Sequence, residues 1–137
     1  MSTPACHTER CNRHCSVLRI DKIKKDSKKL NEVQLIVFDR ATCQKWLDLA
    51  NDKADTKLIF CAGTEEGGKD TCDGDSGGPF VCRAEDGTWV QYGLTSHGSR
   101  ECGRKGTAGV YTNTYAFGDW IRSHIGTVLN RLISCGS

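Results

Sequence analysis

The chain has 137 residues, nineteen Lys and Arg against seventeen Asp and Glu, a formal net charge of +2 and 37% hydrophobic residues. That length suits one domain with its own core, and so even a balance of charge gives no electrostatic reason to expect nucleic acid or an anionic membrane as partner. No stretch approaches the roughly 20 apolar residues of a helical membrane span.

Taken in chain order, residues 1–16 are polar, cysteine-rich and unpatterned, and the basic run Lys22 to Lys29 reads as a solvated loop. Val33 to Phe38 is β-branched and aromatic and of strand length. Asp39 follows as the N-cap of a helix over Arg40 to Ala50, with Cys43, Trp46, Leu47 and Ala50 on its inner face. Lys57 to Ala62, Pro79 to Arg83, Thr88 to Ser96 and Gly106 to Thr112 read as further strands between glycine-rich turns. Five or six short strands spaced this way suggest an all-β domain closed as a barrel. Ile121, Ile125, Val128 and Leu132 share one stripe of a closing amphipathic helix that stops near Gly136.

Nine cysteines, at positions 6, 11, 15, 43, 61, 72, 82, 102 and 135, point to an oxidising, extracellular compartment. They are too dispersed for a zinc site; Cys6, His7, Cys11, His14 and Cys15 have the right atoms but no recognised metal-ligand spacing. Nine is odd, so one is free, or joined to another chain or to a segment beyond these residues. Met1 to Arg13 has no apolar core of the kind a secretory signal requires, and the natural polypeptide is expected to begin well before Met1.

The chemistry concentrates in Asp70-Thr-Cys-Asp-Gly-Asp-Ser-Gly-Gly-Pro79. Glycines on both sides of Ser76 allow a tight turn that holds the hydroxyl outward and aims the amides of Gly74 and Ser76 at one point, as an oxyanion hole requires. Gly74-Asp-Ser-Gly-Gly-Pro79 resembles the nucleophile motif of the chymotrypsin and trypsin family of serine endopeptidases. The resemblance continues in register from about Leu30 to Ile125 through Phe60-Cys-Ala-Gly63, Gly67-Gly-Lys-Asp70, Ser96-His-Gly98, Gly109-Val-Tyr-Thr112 and Trp120-Ile121.

The resemblance implies the second, six-stranded β-barrel of the family's double-barrel fold with its C-terminal helix, occupying residues 30–137 behind a divergent segment 1–29. It assigns Ser76 as nucleophile and the Gly74 and Ser76 amides as the oxyanion hole. Asp70, followed by Thr71, would floor a specificity slot for Arg or Lys side chains of protein or peptide substrates, the alternative for Asp70 being an exposed turn aspartate. Gly98 and Gly109 would leave that slot open, and Ser96, His97 and Gly98 would pair with substrate backbone as an edge strand. Asp75 would bind the amine created by activation cleavage, or find another partner where that amine is missing. Cys43–Cys61 and Cys72–Cys102 follow as disulfides, Cys82 would join Cys6, Cys11 or Cys15, and Cys135 could reach a segment beyond these residues. No cofactor or metal is implied.

A serine hydroxyl needs a base, and the base a carboxylate. The family supplies both from its first barrel, and its Ala-Ala-His-Cys motif does not occur here. His14-Cys15 echoes only two residues of it. His97 stands where the family commonly has tryptophan and reads as a wall of the cleft, with a second reading as a stand-in base; His124 reads as structural. Two functions follow: a trypsin-like endopeptidase present as a partial domain, inactive without its other barrel or another chain, and a non-catalytic protein that kept the specificity slot. A lone barrel should also expose an apolar patch.

Overall fold

Period-two alternation is clearest in the strand Leu30–Val37, where Leu35 is buried and Val33 and Val37 pack on the core, while Gln34 and Ile36 face outward. A computed structural model describes residues 15–20 and 30–134, with side chains over 30–126. The described elements are β1 (Cys15–Ile20), β2 (Leu30–Val37), α1 (Arg40–Leu49), β3 (Ile59–Gly63), β4 (Pro79–Arg83), β5 (Trp89–His97), β6 (Gly109–Asn113) and α2 (Gly118–Ser134). The described residues are thus mostly β, a curled antiparallel sheet with two helices.

Strand neighbours run β1-β2-β3-β6-β5-β4, and β1 also pairs with β4, so that the sheet curls back on itself. Strand β1 lies in a stretch with no predicted element; its backbone pairs in register from Cys15 opposite Leu35 to Ile20 opposite Leu30. The same pairing explains why β2 begins at Leu30 instead of Val33: the ladder with β1 carries it there. The strands predicted from Lys57, Thr88 and Gly106 begin at Ile59, Trp89 and Gly109, and each runs one residue past its predicted end. The residues ahead of these starts lie in the turns and loops between the strands.

The core of the sheet is aromatic. Phe60 meets Phe80 edge-on at 5.0 Å, Tyr92 edge-on at 5.4 Å and Tyr111 in a stack at 5.4 Å, and Phe80 meets Tyr111 at 4.7 Å. These arrangements suit ring quadrupoles. Gly93, opposite Phe80 in the β4–β5 ladder, makes the packing possible: a Cβ there would lie 2.6 Å from Phe60 Cε1 and 2.7 Å from the Thr112 carbonyl. Gly93→Ala should therefore destabilise by about 1–3 kcal/mol through overpacking, read as a lower urea midpoint at unchanged m-value.

Helix α1 begins where predicted. Asp39 is extended, at φ −64° and ψ 160°, and its Oδ1 accepts the Thr42 amide at 2.8 Å. That bond, with the Thr42 hydroxyl on Oδ2, holds the Asp39 carboxyl below the usual carboxylate range. Cys43 and Leu47 are buried against Cys61 and Val110, and Trp46 meets Phe38 edge-on at 4.3 Å. Ala50 is not on the inner face; it is the exposed C-cap. Asn51 then turns left-handed at φ 52°, its amide reaching the Asp48 carbonyl at 3.1 Å and the Asp52 amide the Leu47 carbonyl at 2.8 Å. This is a Schellman stop, and it fixes the position of Asp52.

Helix α2 departs from expectation. Of its predicted stripe, Ile121 is only half-buried and Ile125 is 58% exposed, and the neighbouring Trp120 is 62% exposed. Val128, Leu132 and the stop near Gly136 lie outside the described side chains. His124 packs beside Trp120 with its Nδ1 on the Trp120 carbonyl at 2.8 Å. Among the described residues, no helix is long and apolar enough to cross a membrane.

Candidate active site

The loop from β3 to β4 carries most of the predicted site residues, and its shape follows from its own bonds. Cys72 donates its amide to Asp75 Oδ2 at 2.8 Å, Asp75 returns its amide to the Cys72 carbonyl at 3.0 Å, and Gly78 donates to the Asp75 carbonyl at 2.9 Å. Asp75 is 3% exposed, so its carboxylate is held inside the loop by a backbone donor. Gly74 and Gly77 sit at φ +96° and +81°, where a Cβ would be strained. The Gly77 amide bonds the Thr95 carbonyl at 2.8 Å and fastens the loop to β5.

Between the two glycines Ser76 is exposed, and its hydroxyl donates to the Ser96 carbonyl over a long 3.4 Å. Among the described residues, neither the Gly74 nor the Ser76 amide donates to a protein acceptor.

Asp70 is not an exposed turn aspartate. It is 5% exposed, with Oδ1 accepting the Thr71 amide at 2.8 Å and Oδ2 the Gly103 amide at 3.0 Å. A buried carboxylate is tolerable only with such donors. Thr71 is buried beside it, its hydroxyl 3.1 Å from the Tyr111 phenol, whose ionisation burial pushes far upward. Tyr111 and Gly103 are neighbours of the site that the sequence did not single out. The disulfide Cys72–Cys102, with Cα atoms 5.5 Å apart, and the bond from the Gly68 amide to the Gly103 carbonyl at 2.6 Å tie the two flanking loops together.

Gly98 and Gly109 lie side by side: a Cβ on Gly98 would meet Gly109 Cα at 3.5 Å, and one on Gly109 would meet the Tyr111 hydroxyl at 2.8 Å and Asp70 Oδ1 at 3.0 Å. Bare backbone therefore faces the buried carboxylate.

The second disulfide expected, Cys43–Cys61, is present and fastens α1 to β3. Cys82 is also disulfide-bonded. The choice among Cys6, Cys11 and Cys15 for it falls outside the described side chains, as do His7, His14, Cys135 and the run Lys22 to Lys29.

His97 ends β5 at a register shift against β6. Its Nε2 lies 2.6 Å from Asp52 Oδ2, and its Nδ1 lies 3.0 Å from the Ser96 hydroxyl. The His97 hydrogen bond holds the Asp52 carboxyl below the usual range, against the opposing effect of burial and with help from the Ala54 amide at 2.9 Å. Asp52 could not be found by local reading, because its partner is 45 residues away.

Known proteins resemble most of the chain. A family model described as Trypsin matches residues 2–121. Serine protease 41 of Homo sapiens is 40% identical over 94 residues, 68% of this chain and 29% of the relative. Mannan-binding lectin serine protease 1 of Homo sapiens is 43% identical over 94 residues, 68% of this chain and 13% of the relative. Proclotting enzyme of Tachypleus tridentatus is 38% identical over 96 residues, 70% of this chain and 25% of the relative. The chain thus aligns with less than a third of the length of each of these relatives.

Proposed function

We propose, from the premise that this chain belongs to the trypsin family of serine proteases, that it carries the nucleophile and specificity half of an extracellular endopeptidase cleaving after Arg or Lys. Its strands form the six-stranded C-terminal barrel of the family's double-barrel fold. The observation that carries the reading is an exposed Ser76 on a loop that Gly74 and Gly77 hold in left-handed turns. The amides of Gly74 and Ser76, with no protein acceptor among the described residues, are the oxyanion donors.

Asp70 floors the specificity slot. A substrate guanidinium or ammonium entering past Gly98 and Gly109 meets a carboxylate already oriented by two backbone amides, so little ordering is left to do on binding. Thr71 and Tyr111 pack behind it. Ser96, His97 and Gly98 offer backbone to an extended peptide. The disulfides Cys43–Cys61 and Cys72–Cys102, with the one that holds Cys82, fit an oxidising compartment. Strand β1 (Cys15–Ile20) belongs to this barrel, between β2 and β4, so the partial domain reaches back before residue 30, and the base and its carboxylate come from the other barrel or from another chain. Enzymes of this same family that lose a triad member keep about 10³–10⁴-fold catalysis over water.

A second reading, a non-catalytic protein that binds basic side chains, is favoured by one observation. The Ser76 hydroxyl bonds a backbone carbonyl, which accepts a hydrogen bond but takes up no proton.

One experiment separates the two. The oxidatively refolded chain is treated with a fluorophosphonate probe with and without p-aminobenzamidine, reduced and digested with trypsin. The catalytic reading, with its base on the other barrel, expects slow label on the peptide 70–83, slowed further by the amidine. Amidine binding without label there supports the binding protein, and neither label nor amidine binding overturns both readings.

A further inference from the structure

We propose that Ser96, His97 and Asp52 form a second nucleophilic centre, beside the Ser76 loop but with its own hydroxyl and base, that accepts phosphonyl and activated acyl groups. The three side chains make an unbroken line: hydroxyl to Nδ1 at 3.0 Å and Nε2 to carboxylate at 2.6 Å. With the Asp52 carboxylate 2.6 Å from Nε2, the neutral ring that places its hydrogen on Nε2 donates to Asp52 and presents the Nδ1 lone pair to the Ser96 hydroxyl. That is the order of nucleophile, base and orienting carboxylate that nucleophilic catalysis needs.

The fold holds each member in place. The Schellman stop of α1 delivers Asp52, and the Ala54 amide occupies Oδ1, leaving Oδ2 to His97. The register shift between Thr95 and His97 breaks the alternation of β5 and lets two successive side chains meet. Ser96 is exposed and His97 is 48% exposed, so a reagent reaches both.

In the reaction the Ser96 oxygen forms a bond to phosphorus of a fluorophosphonate, the P–F bond breaks and fluoride leaves with its electron pair. The hydroxyl proton passes to Nδ1 and then to water, while Asp52 stabilises the imidazolium through Nε2–H. No oxidant or further reactant is needed. The inference does not rest on the role given to Ser76.

The two serines fall on different tryptic peptides, 70–83 and 84–100. Ser76→Ala in the full chain should still acquire label on 84–100, with fragment ions placing it on Ser96. Adding His97→Gln should slow that labelling about 100-fold or more, as loss of a general base does. Asp52→Asn should slow it less, and Asp52→Glu should restore part of the rate, which a purely structural role would not produce. Folding of each variant is checked by recovery of the linked Cys43–Cys61 and Cys72–Cys102 peptides. Label confined to 70–83 in the unaltered chain, or a Ser96 adduct whose rate ignores His97, overturns the proposal while leaving Ser76 as it stands.

Discussion

Asp70→Asn should abolish useful binding of p-aminobenzamidine and lower the melting temperature of the chain. The loss of affinity is about 2–5 kcal/mol, the cost of truncating one partner of a buried, hydrogen-bonded charge pair, or roughly 30-fold and upward. The stability loss has a separate cause. Both oxygens of Asp70 accept backbone amides, from Thr71 and from Gly103. An asparagine keeps one acceptor and turns an N–H toward the other amide, leaving a buried donor without an acceptor at about 1–3 kcal/mol. Fluorescence titration reads the first effect and thermal denaturation the second. Unchanged affinity for the cation would remove Asp70 from the slot, whereas unchanged melting with lost binding would mean that the loops rearrange to satisfy the amides.

Phe80→Ala should be the most damaging change in the core. Its side chain is wholly buried, edge-on to both Phe60 and Tyr111, and it stands opposite Gly93, which has no side chain to fill the space. Phenylalanine-to-alanine changes at such sites cost about 3–5 kcal/mol, and the rigid neighbours place this one near the upper end. An unfolding free energy in urea lowered by less than about 1 kcal/mol would show that the ring cluster collapses to fill the cavity. The substitution also loosens the strand that begins at Pro79, directly after the serine loop, so probe labelling of Ser76 should slow with it.

What the sequence revealed and what it hid divide along the reach of the interactions. The cap at Asp39, the helix of Arg40 and the glycine turns around Ser76 depend mainly on residues within a few positions, whereas the strand around Val33 reaches back to Leu30 through its ladder with β1. The two disulfides needed the resemblance to a known family, since cysteine positions alone leave many pairings open. Strand β1 was missed because Cys15 to Ile20 alternates poorly and owes its extension to β2 and β4. The stripe of α2 marks a helix but not its exposure, since burial depends on what lies opposite. Asp52 and Gly103 reach the site only through contacts across 45 and 33 residues, which no window along the chain can register.

The bond circuit of residues 72–78 has a consequence for which positions can change. Cys72 is cross-linked, Asp75 is bonded inward, and Gly74 and Gly77 have backbone angles that other residues resist. Asp73 and Ser76 alone point their side chains outward without holding the turn together. The frame is therefore indifferent to the reactive atom it displays, and a thiol could replace the hydroxyl at 76 with no cost to the architecture beneath.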